Sequence, residues 1–208
     1  MIAIIDYDVG NLHSVEKAFQ FLGYKAVVSD DKDLIQRADA VVLPGVGAFA
    51  DAMDSLRRTG MDQLIYKLVD AHKPFLGICL GMQLLFDYSE EGGTPKGLGI
   101  LPGSIKRIPN QQDLKVPHMG WNKLNITQKN ELLNHLPMRP YVYFVHSYYL
   151  KAKNREDVIA TTRYGTEIDV AVNRGNIYAT QFHPEKSGEI GLKILDNFGK
   201  MISISKIG

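Results

Sequence analysis

Apolar residues are spaced in two different ways along the chain. In the first half, short unbroken runs alternate with stretches whose apolar positions fall three or four apart. Residues 2–6 (IAIID), 25–29 (KAVVS), 39–45 (DAVVLPG) and 74–78 (PFLGI) read as buried strands. Between the first two, Val15, Ala18, Phe19 and Leu22 mark one face of a helix. Short apolar strands separated by helices specify a parallel sheet covered on both faces. Such sheets carry their sites at the carboxyl ends of the strands. The segments DYDVGN (6–11), PGVGAF (44–49) and GICLG (77–81) lie at or just beyond strand ends and are the places to look.

The second half alternates differently. Residues 141–150 (YVYFVHSYYL), 157–164 (DVIATTRY), 168–175 (IDVAVNRG) and 176–182 (NIYATQF) are β-branched and aromatic, with turn residues between them. Arg174-Gly175-Asn176 reads as a hairpin turn, and a closing helix from about Ser187 places Ile190, Ile194, Leu195, Phe198 and Met201 on one face. The pattern predicts one α/β domain over residues 1–208: a mostly parallel sheet with an antiparallel elaboration in its second half.

Composition narrows the function classes. A chain of 208 residues that is 45% hydrophobic can bury a full core, and a formal net charge of +1 gives no footprint for nucleic acid or an anionic membrane. A single cysteine excludes an intrachain disulfide framework and a cysteine-based zinc cluster. The N-terminal MIAIIDYDVGN lacks a basic leader with a long apolar segment, and no apolar run approaches the roughly 20 residues of a membrane span. The expectation is a cytoplasmic protein without metal or cofactor.

That one cysteine, Cys79, sits between Gly77 and Gly81 where a strand gives way to a second apolar run. A free cysteine is as a rule a small buried hydrophobe. Strand, Gly-x-Cys-x-Gly, helix is instead the form of a nucleophile elbow, a strained turn whose flanking residues must be small because their backbones crowd together. The helix begun by Leu80 would aim free N–H groups and its dipole at the sulfur, and the Leu80 N–H could serve an oxyanion. A nucleophile needs a base. His13 and His72 lie in helical patterns and His135 in a polar stretch, which makes them surface residues, while His118 and His146 have more suggestive surroundings. His183, in YATQFHPEKS, follows a strand, and Glu185 two positions on would share its face in an extended segment. His-Pro-Glu alone is more often a structural turn; with the elbow it becomes base and orienter. LPGVGAF (43–49) offers a second oxyanion donor, or merely a tight turn; with no GxGxxG or Walker A pattern, a nucleotide site has little support.

LPGVGAF, GICLGMQLLF (77–86) and QFHPEKS (181–187), in this order, resemble the class I (triad-type) glutamine amidotransferases, and the resemblance runs over nearly the whole chain. YDVGNLHSV, PGVGAFADAM, VPHMGWN and FVHSYY make it similar, within that family, to glutaminase subunits of imidazole glycerol phosphate synthase. The resemblance implies a flavodoxin-like doubly wound fold. It implies that Cys79 attacks the side-chain amide of glutamine, with His183 as acid and base and Glu185 as orienter. Gly45, Val46 and Leu80 would form the oxyanion hole, and Gly47, Gln83, Glu91, Ser147 and Tyr148 would hold the glutamine. Glu90, adjacent to Glu91, is not separable from it in sequence. A single domain has nowhere to use ammonia, so the resemblance implies a heterodimer with a (β/α)8-barrel cyclase that makes imidazole glycerol phosphate and aminoimidazole carboxamide ribonucleotide. Met119, Trp121, Tyr143 and Lys186 would lie on the docking face; an ordinary core tryptophan is the alternative for Trp121. A glutaminase subunit of an anthranilate or pyridoxal phosphate synthase, a cysteine hydrolase on the same elbow, and a flavodoxin-like module with an inert thiol remain the other readings.

Overall fold

The computed structural model describes residues 1–112 and 114–204. Its first half is a parallel layer built from β1 (Ile2–Ile5), β2 (Ala26–Ser29), β3 (Ala40–Leu43) and β4 (Phe75–Ile78). Helices α1 (Leu12–Phe21), α2 (Lys32–Arg37), α3 (Phe49–Thr59) and α4 (Met61–Asp70) lie between them in the chain. β1, β3 and β4 are buried throughout, which is why they read as continuous apolar runs rather than alternating ones. The alternation is present across the sheet: Ile2 and Ile4 pack with Val15, Phe19 and Phe198 on one face, while Ala3 and Ile5 pack with Phe49, Leu56 and Ile65 on the other.

A one-turn helix α5 (Leu80–Gln83) follows β4, and short strands β5 (Tyr88–Ser89) and β6 (Gly103–Arg107) come next. Then come β7 (His118–Lys123), β8 (Asn125–Ile126), β9 (Tyr141–His146), β10 (Tyr148–Ala152), β11 (Val158–Tyr164), β12 (Thr166–Arg174) and β13 (Ile177–Thr180). The closing helix α6 spans Gly188–Ile204. The main sheet runs β2-β1-β3-β4-β13-β12-β10-β6-β5, with β11 on β12 and β8 on β11. Its first five strands are all parallel and keep the flavodoxin-like order. From β12 onward the pairing is mainly antiparallel, and β12 returns into β13 through the expected turn at Gly175 (φ +57°).

One expectation needs correction. Residues 141–150 are not one strand: the run breaks at Ser147, β9 pairs with β7 in a separate two-stranded ribbon, and β10 pairs with β6 and β12 in the main sheet. The composition is uniform across the break, so only the tertiary partners divide it. Pro117, before β7, follows a cis peptide bond.

The elbow glycines are required for different reasons. A side chain at Gly77 would press on the Gly81 carbonyl at 3.0 Å and on the Met82 backbone, as the crowding argument requires. A side chain at Gly81 would instead lie 1.8 Å from the Leu43 carbonyl of the neighbouring strand. Gly81→Ala should therefore destabilise the fold by more than about 2 kcal/mol, because backbone must move. Gly92→Ala, at φ +67° in open space, should cost only about 1 kcal/mol of left-handed strain. Urea midpoints of the two variants check this; equal midpoints would refute the close approach of α5 to β3.

Candidate active site

Cys79 joins β4 to α5 at φ 55°, ψ −112°, a conformation that costs a residue with a side chain on the order of 1–3 kcal/mol. The turn is held because the Cys79 N–H donates to the Thr180 carbonyl at 2.8 Å, extending the β4–β13 ladder by one bond. α5 is a single turn, so the expected helix dipole is correspondingly weak at the sulfur. Residues beyond Gln83 leave the helix in successive turns, although the apolar run continues to Phe86.

His183 stands just past β13, the neighbour of β4, and is 1% exposed. The His-Pro-Glu segment is a 3₁₀ turn over Pro184–Lys186 rather than the expected extended stretch, and the turn itself brings His183 Nδ1 within 2.7 Å of Glu185 Oε1. With Nδ1 committed to the carboxylate, Nε2 is left without a hydrogen-bond partner among the described residues. Burial alone would depress the imidazole, but hydrogen bonding and charge from Cys79 and Glu185 outweigh it and push the pKa up to about 9. The thiol exerts this influence without yet making a well-aligned hydrogen bond to Nε2. Asn11 Nδ2 donates to the same Glu185 oxygen at 2.8 Å. Asn11 occupies the N-cap of α1 in the left-handed region (φ 71°), yet its side chain makes no capping bond and reaches the Glu185 carboxylate instead.

The PGVG loop meets this site from β3. Tyr7 Oη donates to the Pro44 carbonyl at 2.8 Å and packs against Gly45, where a side chain would come within 2.5 Å of that oxygen. Burial raises the Tyr7 pKa, so the phenol stays a donor. The Leu80 N–H donates to the Gly45 carbonyl at 3.3 Å. The N–H expected to face an oxyanion is thus already bonded to a carbonyl of the loop expected to help it.

Thiol and imidazole open into a cavity of about 310 Å³ lined by Val46, Gly47, Cys79, Leu80, Gln83, Glu91, Pro117, Val145, His146, Ser147, Tyr148 and His183. All five residues expected around the glutamine line it, and Gly45 lies just behind Val46. The two adjacent glutamates separate. Glu91 lines the cavity and accepts the Phe49 N–H at the start of α3 (2.9 Å), whereas Glu90 turns out to Lys106 at 2.6 Å. A larger groove of about 840 Å³ near Lys129, Glu131 and Asn173 contains neither the thiol nor a histidine. Among the described residues, no group of three or more His, Cys, Asp or Glu side chains is placed to hold a metal, and no helix is long and apolar enough to cross a membrane.

The ribbon β7–β9 stands beside the cavity. Its inward positions include His118, Val142, Phe144 and His146, all buried; its outward positions include Met119 (62% exposed) and Trp121 (57%). Trp121 is therefore not a core residue, and it stacks edge-on against Tyr143 across the ribbon. Lys186 is exposed on the His-Pro-Glu turn. Asn11, Tyr7 and Gln181, whose Nε2 faces the Cys79 sulfur at 3.9 Å, were not singled out from sequence. The only signal for them was that DYDVGN and QFHPEKS follow strands.

The histidines should titrate far apart. Burial holds His118 down at about 4, and burial, reinforced by the charges of His118 and His183, holds His146 at about 3. Their folded pKa values lie below the ordinary 6.5, so the unfolded chain binds more protons and stability falls as pH drops from about 6.5 toward 3. His183 has the opposite sign: its stabilisation is full below about 6.5 and is lost as pH rises through about 9. NMR titration of the imidazoles checks both, and Glu185→Gln should bring His183 down. A His183 that titrates below 6.5 in the parent would contradict the site geometry.

A family model described as Glutamine amidotransferase class-I matches residues 3–202. The chain is 50% identical over 206 residues to imidazole glycerol phosphate synthase subunit HisH of Geobacillus sp., covering 97% of each chain. It is 50% identical to the subunit of the same name from Moorella thermoacetica, covering 97% of this chain and 95% of that one. Among solved structures, PurLQS from Thermotoga maritima matches with a TM-score of 0.75 at 18% identity, over 97% of this chain and 98% of that one. A glutamine amidotransferase from Thermotoga maritima matches with a TM-score of 0.63 at 19% identity, over 100% and 85%. At these identities the solved structures speak for the fold. The domain match and the half-identical relatives speak for descent: the chain belongs to the class-I glutamine amidotransferases, in their HisH branch.

Proposed function

We propose that this chain is the glutaminase subunit of an imidazole glycerol phosphate synthase, a single amidotransferase domain working in the cytoplasm. The observation that carries the reading is the constellation at one cavity: a strained Cys79, and a His183 whose Nδ1 is held by Glu185 while Nε2 is left for a proton. The names of the relatives favour this synthase over an anthranilate or pyridoxal phosphate synthase, and over a hydrolase or a binding module.

The proton of the Cys79–His183 pair rests on His183 Nε2, in keeping with its raised pKa, and the sulfur that gave it up attacks the side-chain carbonyl of glutamine. The tetrahedral adduct collapses as the C–N bond breaks, and the imidazolium gives its proton to the departing ammonia. Water, activated by the same imidazole, then hydrolyses the glutamyl thioester to glutamate. Glu185 stabilises the imidazolium in both steps, and Asn11 holds Glu185. Glu91 suits the ammonium end of the substrate, and Gln83 with the Ser147–Tyr148 backbone suits its other polar groups.

The oxyanion needs donors from Leu80 and Val46. With Leu80 N–H bonded to the Gly45 carbonyl, the site rests with a lone pair where negative charge must develop. Rotating the Gly45–Val46 peptide would exchange that carbonyl for the Val46 N–H. Val46 is not among the residues at positive φ, and the rotation would drive it there, which a β-branched residue resists. A partner that binds the rotated form more tightly supplies the difference. The same partner would receive the ammonia, and a (β/α)8-barrel cyclase seated on Met119, Trp121, Tyr143 and Lys186 fits both needs. The ribbon is tied to the triad: the His183 N–H donates to the Tyr143 carbonyl at 3.1 Å, and Ser187 Oγ bridges the Tyr143 N–H to the His183 carbonyl.

Cys79→Ser should abolish glutamine hydrolysis with the fold intact, since the exchange is nearly isosteric; retained turnover would end the triad reading. The isolated subunit should hydrolyse glutamine slowly and speed up by orders of magnitude with the cyclase and its nucleotide ligand. Val46→Gly should raise the rate of the isolated subunit by roughly 10-fold, the equivalent of about 1.4 kcal/mol of relieved strain. A fall in that rate, or no change, would count against the rotated peptide.

A further inference from the structure

Gln181 is fully buried between β13 and His183, and the scheme above gives it no task. Among the described residues, the only partner of its Nε2 is the Cys79 sulfur, at 3.9 Å. Which end of a carboxamide faces a neighbour is ordinarily ambiguous, but here an atom that can only accept decides it. The Tyr148 carbonyl accepts from Gln83 at 3.0 Å, so the Gln83 atom there is Nε2. That Nε2 lies 2.9 Å from Gln181, whose atom must be Oε1, which leaves the Gln181 N–H groups at the sulfur.

The same carbonyl orders the other direction. It lies 2.9 Å from His146 Nδ1, which must donate, so His146 Nε2 is an acceptor and takes the N–H of His118 Nδ1 at 3.0 Å. His118 Nε2 in turn accepts from Asn122 Nδ2 at 3.3 Å. Asn122 is itself fixed, donating to the Arg163 carbonyl at 3.0 Å and accepting the Lys123 N–H at 2.8 Å. The His118 ring is clamped between Phe144 and Tyr164, stacked at 4.6 Å and 3.9 Å between ring centres. The hydrogen bonds thus form one chain of settled polarity from the β7 ribbon to the nucleophile.

We infer that Gln181 is a further catalytic residue, donating a carboxamide N–H to the Cys79 sulfur, and that Gln83, anchored on the Tyr148 carbonyl, holds it in the donating orientation, while His146 and His118 steady that carbonyl from behind. The inference rests on the glutaminase reading and deepens it. When the S–H bond breaks, the proton goes to His183 Nε2 and the electron pair stays on sulfur, where Gln181 meets it. A separation of 3.9 Å is long for a neutral thiol; bonds to an ionised acceptor are shorter and roughly twice as strong, and such contacts tighten along the reaction. A carboxamide meets the new charge without adding one, so it stabilises the thiolate without competing with His183 for the proton.

Alkylation of Cys79 by iodoacetamide at neutral pH reads the sulfur without glutamine. In the intact protein, Gln181→Met, which keeps length and removes the donor, should slow alkylation by roughly 10-fold and lower kcat with little change in KM. Gln83→Met, which removes the orienting group and is read here without glutamine, should slow alkylation less. Unchanged alkylation in a folded Gln181→Met overturns the donor role, and unchanged alkylation in Gln83→Met overturns the orienting chain. If Gln181→Met does not fold, the Gln181 side-chain amide protons of the unmodified protein serve instead: they should move downfield as the thiol ionises, and their indifference overturns the inference. Absence of glutamine hydrolysis by the unmodified protein, with the cyclase and its nucleotide ligand present, would instead refute the glutaminase reading while leaving the alkylation result standing.

Discussion

The parallel pairing of β13 with β4 is the constraint on which the site depends. Ile177 faces Phe75 and Thr180 faces Ile78, and the ladder ends with the Cys79 N–H on the Thr180 carbonyl. Adjacent strands lie about 4.8 Å apart, so two segments distant in sequence leave the sheet side by side at the same edge. One bears the thiol and the other the imidazole. A slip of one residue would turn the side chains of β13 to the opposite faces and move His183 away from Cys79. β12 secures the register from the other side, through an antiparallel hairpin whose Arg174 faces Ile177. On the proposed function the antiparallel elaboration therefore belongs to the catalytic geometry, because it locks the strand that leads into His183.

Around this fixed pair the movable parts are loops. DYDVGN supplies Tyr7 to the PGVG loop and Asn11 to Glu185, so one strand end touches both the Gly45–Val46 loop and the His183–Glu185 pair. On the proposed function, the contact between Leu80 N–H and the Gly45 carbonyl opposes catalysis. A rotated Val46 costs on the order of 1–2 kcal/mol in strain, before the loss of that hydrogen bond. Such a penalty keeps the active form a minority without making it inaccessible to a partner of ordinary affinity. On the proposed function, ammonia made without an acceptor is lost, and a resting state of this kind limits the loss.

Much of this was legible in the sequence. Buried parallel strands are apolar throughout, so β1, β3 and β4 announced themselves, and glycines beside Cys79 reported a backbone crowded from both sides. What stayed hidden was set by contacts across the fold. Asn11 looks like an ordinary helix cap, and only the distant Glu185 diverts its side chain. The break at Ser147 leaves no mark in a uniform β-branched and aromatic run, since β7 and β6 do the dividing. Glu90 and Glu91 are separated by Lys106 and by the first turn of α3, neither of which is near them in sequence. Gln181 is polar in a buried strand end, and its purpose appears only once the Tyr148 carbonyl orients it.

The ribbon gives these parts a common lever. β9 holds the His183 turn through Tyr143 and Ser187, β7 orders the histidine chain behind the cavity, and both present Met119, Trp121 and Tyr143 outward. On the proposed function, a partner on this face withdraws the Gly45 carbonyl from Leu80 and puts the Val46 N–H in its place. The most direct measurement is a crystal structure of the Cys79→Ser variant bound to glutamine, the cyclase and its nucleotide ligand. The expected result is that Leu80 N–H and Val46 N–H both point at the glutamine carbonyl oxygen. A complex in which Leu80 N–H still donates to the Gly45 carbonyl, with glutamine seated and the partner engaged, would contradict it.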